Sequence, residues 1–264
     1  MERIVSCDPA LAVKMLRIAN SAYYGFKSEV TTVKQAVVLL GLMTVRSLVV
    51  GASCYDVFAR AGAPDDREAL WLHSIGTAVA AEGLAKSVRG VVPEEAYLAG
   101  LLHDVGVAVI AMSYPEVPRL VAAQSLDGEV SRREAEVDLL GCDHAQMGML
   151  VAQEWGLPAP IAGAIGYHHS PAGAAVAPEL AACTHVSDLV ASRVGFALDS
   201  LAKAGEPEPY ALSVLGLSAG DVDEACWEME ACLEEIRAMA SQIGGGHAIS
   251  GEAGAETAVL DAAG

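Results

Sequence analysis

The stretch from Glu95 to Gly106, Glu-Ala-Tyr-Leu-Ala-Gly-Leu-Leu-His-Asp-Val-Gly, constrains this chain more than any other. It reads as an apolar helix in which two ionisable side chains, His103 and Asp104, stand next to each other. An apolar helix of this kind belongs in a core, and a buried imidazole and carboxylate need partners there: hydrogen bonds, a metal ion or a phosphate. More of the same residue types lie at a distance in the chain. His73 is upstream, and His144, His168, His169 and Asp188 are downstream, each in or beside a segment with helical periodicity.

The rest of the sequence is consistent with an all-α fold. Apolar residues make up 53% of 264 residues but aromatics only 5%, so the core must be built from Ala, Leu, Val and Met, which suit close helix packing. Asp8-Pro9 has the form of an N-cap followed by proline, and Leu11, Met15 and Ile18 follow at helical spacing. Tyr23-Tyr24-Gly25-Phe26 is a loop, and its concentration of aromatics is expected to anchor it against the helices rather than to form a recognition surface. Thr31 or Thr32 can cap a helix that ends at Gly41, and a second runs from Leu42 toward Phe58. This pair has the outline of a helix-turn-helix, but Lys34 and Arg46 supply too little charge for a groove reader.

After Ala61-Gly62-Ala63-Pro64, Asp65 or Asp66 can cap a long helix that carries His73. Pro93 opens the helix of His103 and Asp104, and Pro118 a shorter one. Ser131 with Glu134 forms a capping-box signature, Asp143 can cap a helix with His144 on its first turn, Pro160 precedes the His168-His169 pair, and Pro178 opens the helix of Asp188. A last long helix is expected over 221–241, and from Gly244 onward the composition predicts a disordered tail. The resulting organisation is an N-terminal helical lobe over 1–60, a helical core over 61–200, an acidic helical extension over 201–243 and the tail over 244–264.

A formal net charge of −18 argues against direct nucleic-acid binding through a broad basic surface. Six cysteines without a CxxC pair fit reduced thiols, the N-terminus lacks the form of a signal peptide, and the longest apolar runs are too short for a bilayer. These features predict a cytoplasmic protein with no membrane segment.

His and Asp ligands about two divalent ions form a hydrolytic site for phosphate esters. The spacing, 30 residues from His73 to His103 and 40 from Asp104 to His144, excludes a local finger-type site, so only a folded bundle could gather these residues. Core histidines with ordinary partners, a purely capping Asp143 and a surface His168-His169 pair are the alternative reading of the same pattern.

The segments AGLLHDVG (99–106), GCDHAQMGMLVAQEWGLPAPIAGAIGYHH (141–169) and HVSDLV (185–190) resemble the HDOD family, the HD-related output domain of bacteria. DPALAVKMLRIANSAYYGF (8–26) and TVKQAVVLLGLMTVRSLVV (32–50) are similar to it as well, so the resemblance runs from about residue 4 to 195. It implies an N-terminal helical lobe packed on an HD-like bundle, and a signalling or regulatory module rather than an established enzyme. The HD-superfamily ligand pattern falls on His73, His103, Asp104 and Asp188. The additional positions of the related cyclic-di-GMP phosphodiesterase branch fall on His144, His168 and His169. Metal ligation by these seven residues, with one or two ions of Fe, Mn, Ni or Zn, is therefore what the resemblance implies. If the chain is enzymatic, Asp104, His168 and His169 are the candidates for catalysis, in a metal-dependent phosphohydrolase acting on a nucleotide or cyclic nucleotide. Three features depart from the phosphodiesterase branch: Val107 stands where it has a lysine, Ala69 where it has a glutamate, and its glycine-tyrosine-proline signature is missing. The partners expected are signalling proteins or a phosphorylated small molecule, and a homodimer is compatible with the sequence.

Overall fold

The computed structural model describes residues 9–21, 23–26, 28–126, 130–198 and 205–243. Asp8, Cys7, the predicted tail over 244–264 and His247 within it lie outside the described residues. Among those described there is no strand, in agreement with the all-helical expectation.

Helices α1 (Pro9–Ala19), α2 (Val33–Leu40) and α3 (Leu42–Phe58) come first. They enclose a small core of Met15, Ala19, Val30, Val33, Ala36 and Val45. Asn20 fastens the loop after α1: its amide donates to the carbonyls of Leu16 (2.9 Å) and Val30 (2.8 Å), and its carbonyl accepts from the Val30 amide (2.7 Å). Thr32 is the cap of α2, with Gln35 completing a capping box. The aromatic loop is anchored as expected. Tyr23 donates from its hydroxyl to Glu82 Oε2 (2.9 Å), and the Tyr23 and Tyr24 rings meet edge to face at 5.0 Å.

The central layer is α4 (Pro64–Ala85), α5 (Pro93–Leu102) and α6 (Val105–Ser113). Helix α4 starts at Pro64 with Ala63 as N-cap and no side-chain cap, so Asp66 lies inside the first turn rather than ahead of it, contrary to the sequence expectation. Every residue of α5 from Ala96 to Leu102 is buried, which is why this helix shows no amphipathic stripe. Pro93–Ser113 as a whole is long and apolar enough, by length and composition, to cross a membrane, which the separate apolar runs had not suggested. Of its 18-residue apolar window 78% is buried inside the protein, at the centre of the core.

Around this layer pack α7 (Val117–Ser125), α8 (Arg132–Leu140), α9 (His144–Glu154), α10 (Ala159–Tyr167) and α11 (Pro178–Ala191). Ser131 with Glu134 and Asp143 with Gln146 form the capping boxes of α8 and α9. A π-helical turn, Ser192–Phe196, follows α11, and then α12 (Pro209–Leu215), α13 (Ala219–Glu230) and α14 (Leu233–Ile243). The single long helix expected over 221–241 is thus two helices, broken at Ala231–Cys232. The break lets α14 turn back onto α1 and α4, where the Ala240 carbonyl accepts the Trp71 indole N–H at 3.0 Å.

Where α6 crosses α9, Gly106 is in backbone contact with the first turn of the neighbour. A Cβ at Gly106 would collide with the His144 carbonyl oxygen and stand 2.8 Å from the Gly148 amide. Both obstacles are backbone atoms, so a side chain can be accommodated only by separating the helices. Gly106→Ala is expected to lower the unfolding free energy by about 1–3 kcal/mol, the usual cost of overpacking, as read from the denaturant midpoint. An unchanged midpoint would show that the two helices part freely.

Candidate metal centre

Helix boundaries bring the seven predicted residues together. His73 lies in α4; His103 is the last half-turn of α5 and Asp104 the N-cap of α6. His144 is the first residue of α9, His168 ends α10 with His169 just after it, and Asp188 is near the end of α11. Asp104 sits at φ −100°, ψ 15°, in the bridge region at the joint between two helices. The near-continuous helix expected from the sequence is therefore bent at its ionisable pair, and the bend turns the Asp104 carboxylate toward His144 and His168.

Asp104 is the common neighbour of four imidazoles. Its Oδ2 lies 3.5 Å from His73 Nε2 and 3.4 Å from His103 Nε2; its Oδ1 lies 3.4 Å from His144 Nε2 and 3.7 Å from His168 Nε2. Asp188 Oδ1 joins the first pair, 3.3 Å from His73 Nε2, and His169 Nε2 joins the second, 2.8 Å from His144 Nε2. The donors thus form two sets, His73, His103 and Asp188 on one oxygen of Asp104, and His144, His168 and His169 on the other. Either set has its ligand atoms close enough together to hold a metal ion.

The partners of Nδ1 fix the tautomers of four of these rings. His73 Nδ1–H donates to the Phe196 carbonyl, His103 Nδ1–H to Gly100, and His168 Nδ1–H to Ile165, each at 2.7 Å. His144 Nδ1–H donates at 2.6 Å to Glu136 Oε2, which also accepts the His144 backbone amide at 2.8 Å. With Nδ1 committed to donation, each neutral ring presents an Nε2 lone pair to the centre. His73 Nε2 then faces His103 Nε2 at 3.0 Å, and His144 Nε2 faces His169 Nε2 at 2.8 Å. In the first pair both rings donate from Nδ1, so two lone pairs at that separation repel unless a proton or a metal cation lies between them; in the second, His169 can donate its own Nε2–H to His144. His168 Nε2 is buried and has no hydrogen-bond partner among the described residues. Inward-facing Nε2 atoms with their Nδ1–H groups held by carbonyls or a carboxylate are the arrangement of metal-binding histidines, so the residues present fit a divalent ion.

The proton affinities match this geometry. Burial disfavours charge on His103, yet the adjacent Asp104 carboxylate and Asp188 outweigh it and lift its pKa to about 9. Burial likewise opposes charge on His144, but its bond to Glu136 and the charge of Asp104 raise it. His168 is pushed down to about 3 by burial and by the charge on His103, and His169 is lowered by burial and by His168 and His144. Burial works against ionisation of Asp104 and Asp188, but the surrounding imidazoles hold both well below the usual carboxylate range. In the metal-free protein at neutral pH, then, His103 holds a proton between its Nε2 and that of His73, and His144 is the more basic member of its pair with His169.

Sequence reasoning assembled the seven donors but missed the groups that orient them. Glu136 is buried. Four residues after Arg132 on a capped helix, it reads in sequence as half of a surface ion pair, and Arg132 does lie 3.9 Å from its other oxygen. The carbonyls of Phe196, Gly100 and Ile165 leave no trace in residue identity. Asp143, whose carboxylate caps α9, also binds Arg133 at 2.8 Å and contributes no donor to the cluster.

A helical bundle with two sets of imidazole and carboxylate donors about one shared Asp defines a protein with a metal-capable His/Asp centre. The chain belongs to the HDOD family, whose domain model matches residues 1–171. That match includes every donor except Asp188. An uncharacterised protein of Treponema pallidum (strain Nichols) is 30% identical over 170 residues, 63% of this chain but only 32% of the relative, so the likeness spans about a third of that protein. Among solved structures, an HDOD domain protein of unknown function from Geobacter sulfurreducens is 27% identical, with TM-score 0.75 over 92% of this chain and 85% of that one. A provisionally assigned phosphohydrolase from Shewanella amazonensis SB2B is also 27% identical, with TM-score 0.74 over 92% and 86%. A provisionally assigned signal transduction protein from Marinobacter aquaeolei VT8 is 28% identical, with TM-score 0.76 over 91% of this chain and 54% of that one.

Because His103 holds a proton at neutral pH when no metal is bound, metal and protons compete. Filling both sets at pH 7 is expected to release at least about one proton per chain. Release should decline as pH rises through about 9, where His103 is already deprotonated, and metal affinity should fall as pH is lowered. Calorimetric titration in buffers of different ionisation enthalpy counts these protons; metal uptake at pH 7 with no proton release would contradict the assignment.

Proposed function

We propose that the chain is a cytoplasmic bacterial signalling module whose His/Asp centre binds one or two divalent ions (Fe, Mn, Ni or Zn). Through them it takes a phosphorylated small molecule and reports its presence to protein partners. The observation that carries this reading is the division of inward-facing Nε2 atoms into two sets, one on each oxygen of Asp104. Two cations separated by a carboxylate complement the non-bridging oxygens of a phosphate. His73, His103, Asp104 and Asp188 form the basic set, and His144, His168 and His169 hold the second ion. The provisional assignment of the Marinobacter relative as a signal transduction protein is in keeping with a regulatory role.

Phosphohydrolysis is the second reading. It is favoured by the same pair of sets, since bound ions would supply Lewis acidity toward phosphoryl oxygens. Two properties of this chain's residues weigh against it. His168 and His169 are held neutral by burial, which makes them lone-pair donors and poor proton donors to a leaving group. Val107, the position that matches the lysine of the phosphodiesterase branch, is half-buried and packed against the apolar core, with no proton or charge to contribute.

Calorimetry with mono-, di- and cyclic nucleotides separates the readings when run on protein loaded anaerobically with Mn²⁺ and on the same protein in EDTA. A ligand should bind at least ~10-fold more tightly to the loaded form, a contribution typical of a metal centre, and phosphate release should not exceed that of Asp104→Asn. Turnover in the wild type that Asp104→Asn abolishes would establish the hydrolase instead, and nucleotide affinity indifferent to metal would contradict both.

A further inference from the structure

Two contacts join the donor sets to parts of the chain that lie beyond residues 1–171, and they act on different sets. The first is the Phe196 carbonyl, which accepts the His73 Nδ1–H at 2.7 Å. Phe196 ends the π-helical turn, whose backbone is directed by Gly195 at φ 97°, a value in the region that side chains avoid. The Phe196 ring is buried between α4 and the last helices: it lies beside Gly76, one turn from His73, with the Met229 methyl of α13 next to it, and the Arg237 guanidinium of α14 is 5.3 Å from its centroid.

The second contact is His185. This buried ring lies one turn before Asp188 but takes no part in either donor set. Its Nδ1–H donates to the His168 backbone carbonyl at 2.7 Å, satisfying a carbonyl at the C-terminus of α10 and fixing the turn that displays His168 and His169. Donation at Nδ1 requires Nε2 to be an acceptor, and the partner is the backbone N–H of Glu208 at 3.0 Å. Glu208 is the N-cap of α12, and the strand of chain before it is held a second time where Arg193 donates to the Gly205 carbonyl (3.0 Å) and to Glu206 (3.1 Å).

We infer that the C-terminal helices position the metal ligands, the Phe196 carbonyl setting the His73 ring for the first ion and His185, locked by the Glu208 amide, setting the His168-His169 turn for the second. The inference rests on the metal-binding reading above. It makes residues 205–243 a part of the centre rather than an appendage. Any partner that lifts α12 from His185 would loosen one donor set and leave the other intact. His185 and Phe196 touch no metal on this account; they are positioning residues.

The test uses full-length protein reduced to one ion site at a time, Asp188→Ala leaving the second donor set and His169→Ala the first. Mn²⁺ affinity is measured in each background with and without two further changes. Glu208→Pro removes the N–H that His185 accepts, together with the Glu208 carboxylate, while the backbone is otherwise kept, because Glu208 already has φ −57° and proline retains the carbonyl that caps α12. It should weaken Mn²⁺ binding roughly tenfold in the Asp188→Ala background, the lower end of what an orienting partner contributes, and by less than about twofold in the His169→Ala background. Gly195→Ala, which strains the turn carrying the Phe196 carbonyl, should give the opposite pattern. His185→Gln, whose amide offers one donor and one acceptor, should keep the affinity that His185→Phe loses. Equal losses in both backgrounds at a lowered melting temperature would mean simple destabilisation, and no loss in either would mean that the contacts are idle; both overturn the inference. Absence of any ion from the unaltered protein would overturn the metal reading itself, and the inference with it.

Discussion

A carboxylate buried among imidazoles is the constraint on which the structure turns. Asp104 has four Nε2 atoms within 3.7 Å; its charge is the main reason that buried His103 holds a proton, and it adds to the Glu136 hydrogen bond in raising the proton affinity of His144. Removing the His103 proton without replacing it would leave two buried carboxylates repelling each other and the His73 and His103 lone pairs in contact. The centre therefore favours a cation, and the choice between proton and metal is set by pH and metal supply.

The scarcity of aromatic side chains has its counterpart in how this centre is enclosed. Five of the seven donors stand at or just past helix ends, so helices must converge end to side within a few ångströms. Gly106 lets α6 touch the first turn of α9, and the buried run from Ala96 to Leu102 lets α5 lie flat against α4. Larger residues at those crossings would widen the cluster beyond the reach of one carboxylate. Several of the few aromatics tie elements together: Tyr23 is bonded to Glu82, Trp71 to the Ala240 carbonyl, and buried Phe196 packs beneath the last helices.

The fold was legible because helical signals are local. The capping boxes at Thr32, Ser131 and Asp143 and the prolines that open helices mark boundaries through interactions a few residues long, and the structure follows them. Where a boundary depends on tertiary packing it was missed: the break at Ala231–Cys232 exists because α14 must return to α1 and α4. The seven donors were legible from residue type and from the resemblance to a known family. Their orientation was not, because it depends on carbonyl oxygens and on Glu136, a carboxylate whose burial is decided by the placement of His144 eight residues later. His185 shows the same limit, since its two partners, a carbonyl and an amide, carry no signature in sequence.

If Asp104 bridges two ions, regulation and chemistry converge on one group: ligand phosphate would meet the ions on one side while the C-terminal helices adjust the rings on the other. The most direct measurement is anomalous diffraction from crystals grown anaerobically with Mn²⁺. The account predicts two peaks about 3.5–4 Å apart, one on each oxygen of Asp104, the first among His73, His103 and Asp188 and the second among His144, His168 and His169. Crystals that show no peak at Asp104 while Mn²⁺ scatters elsewhere on the protein would contradict it.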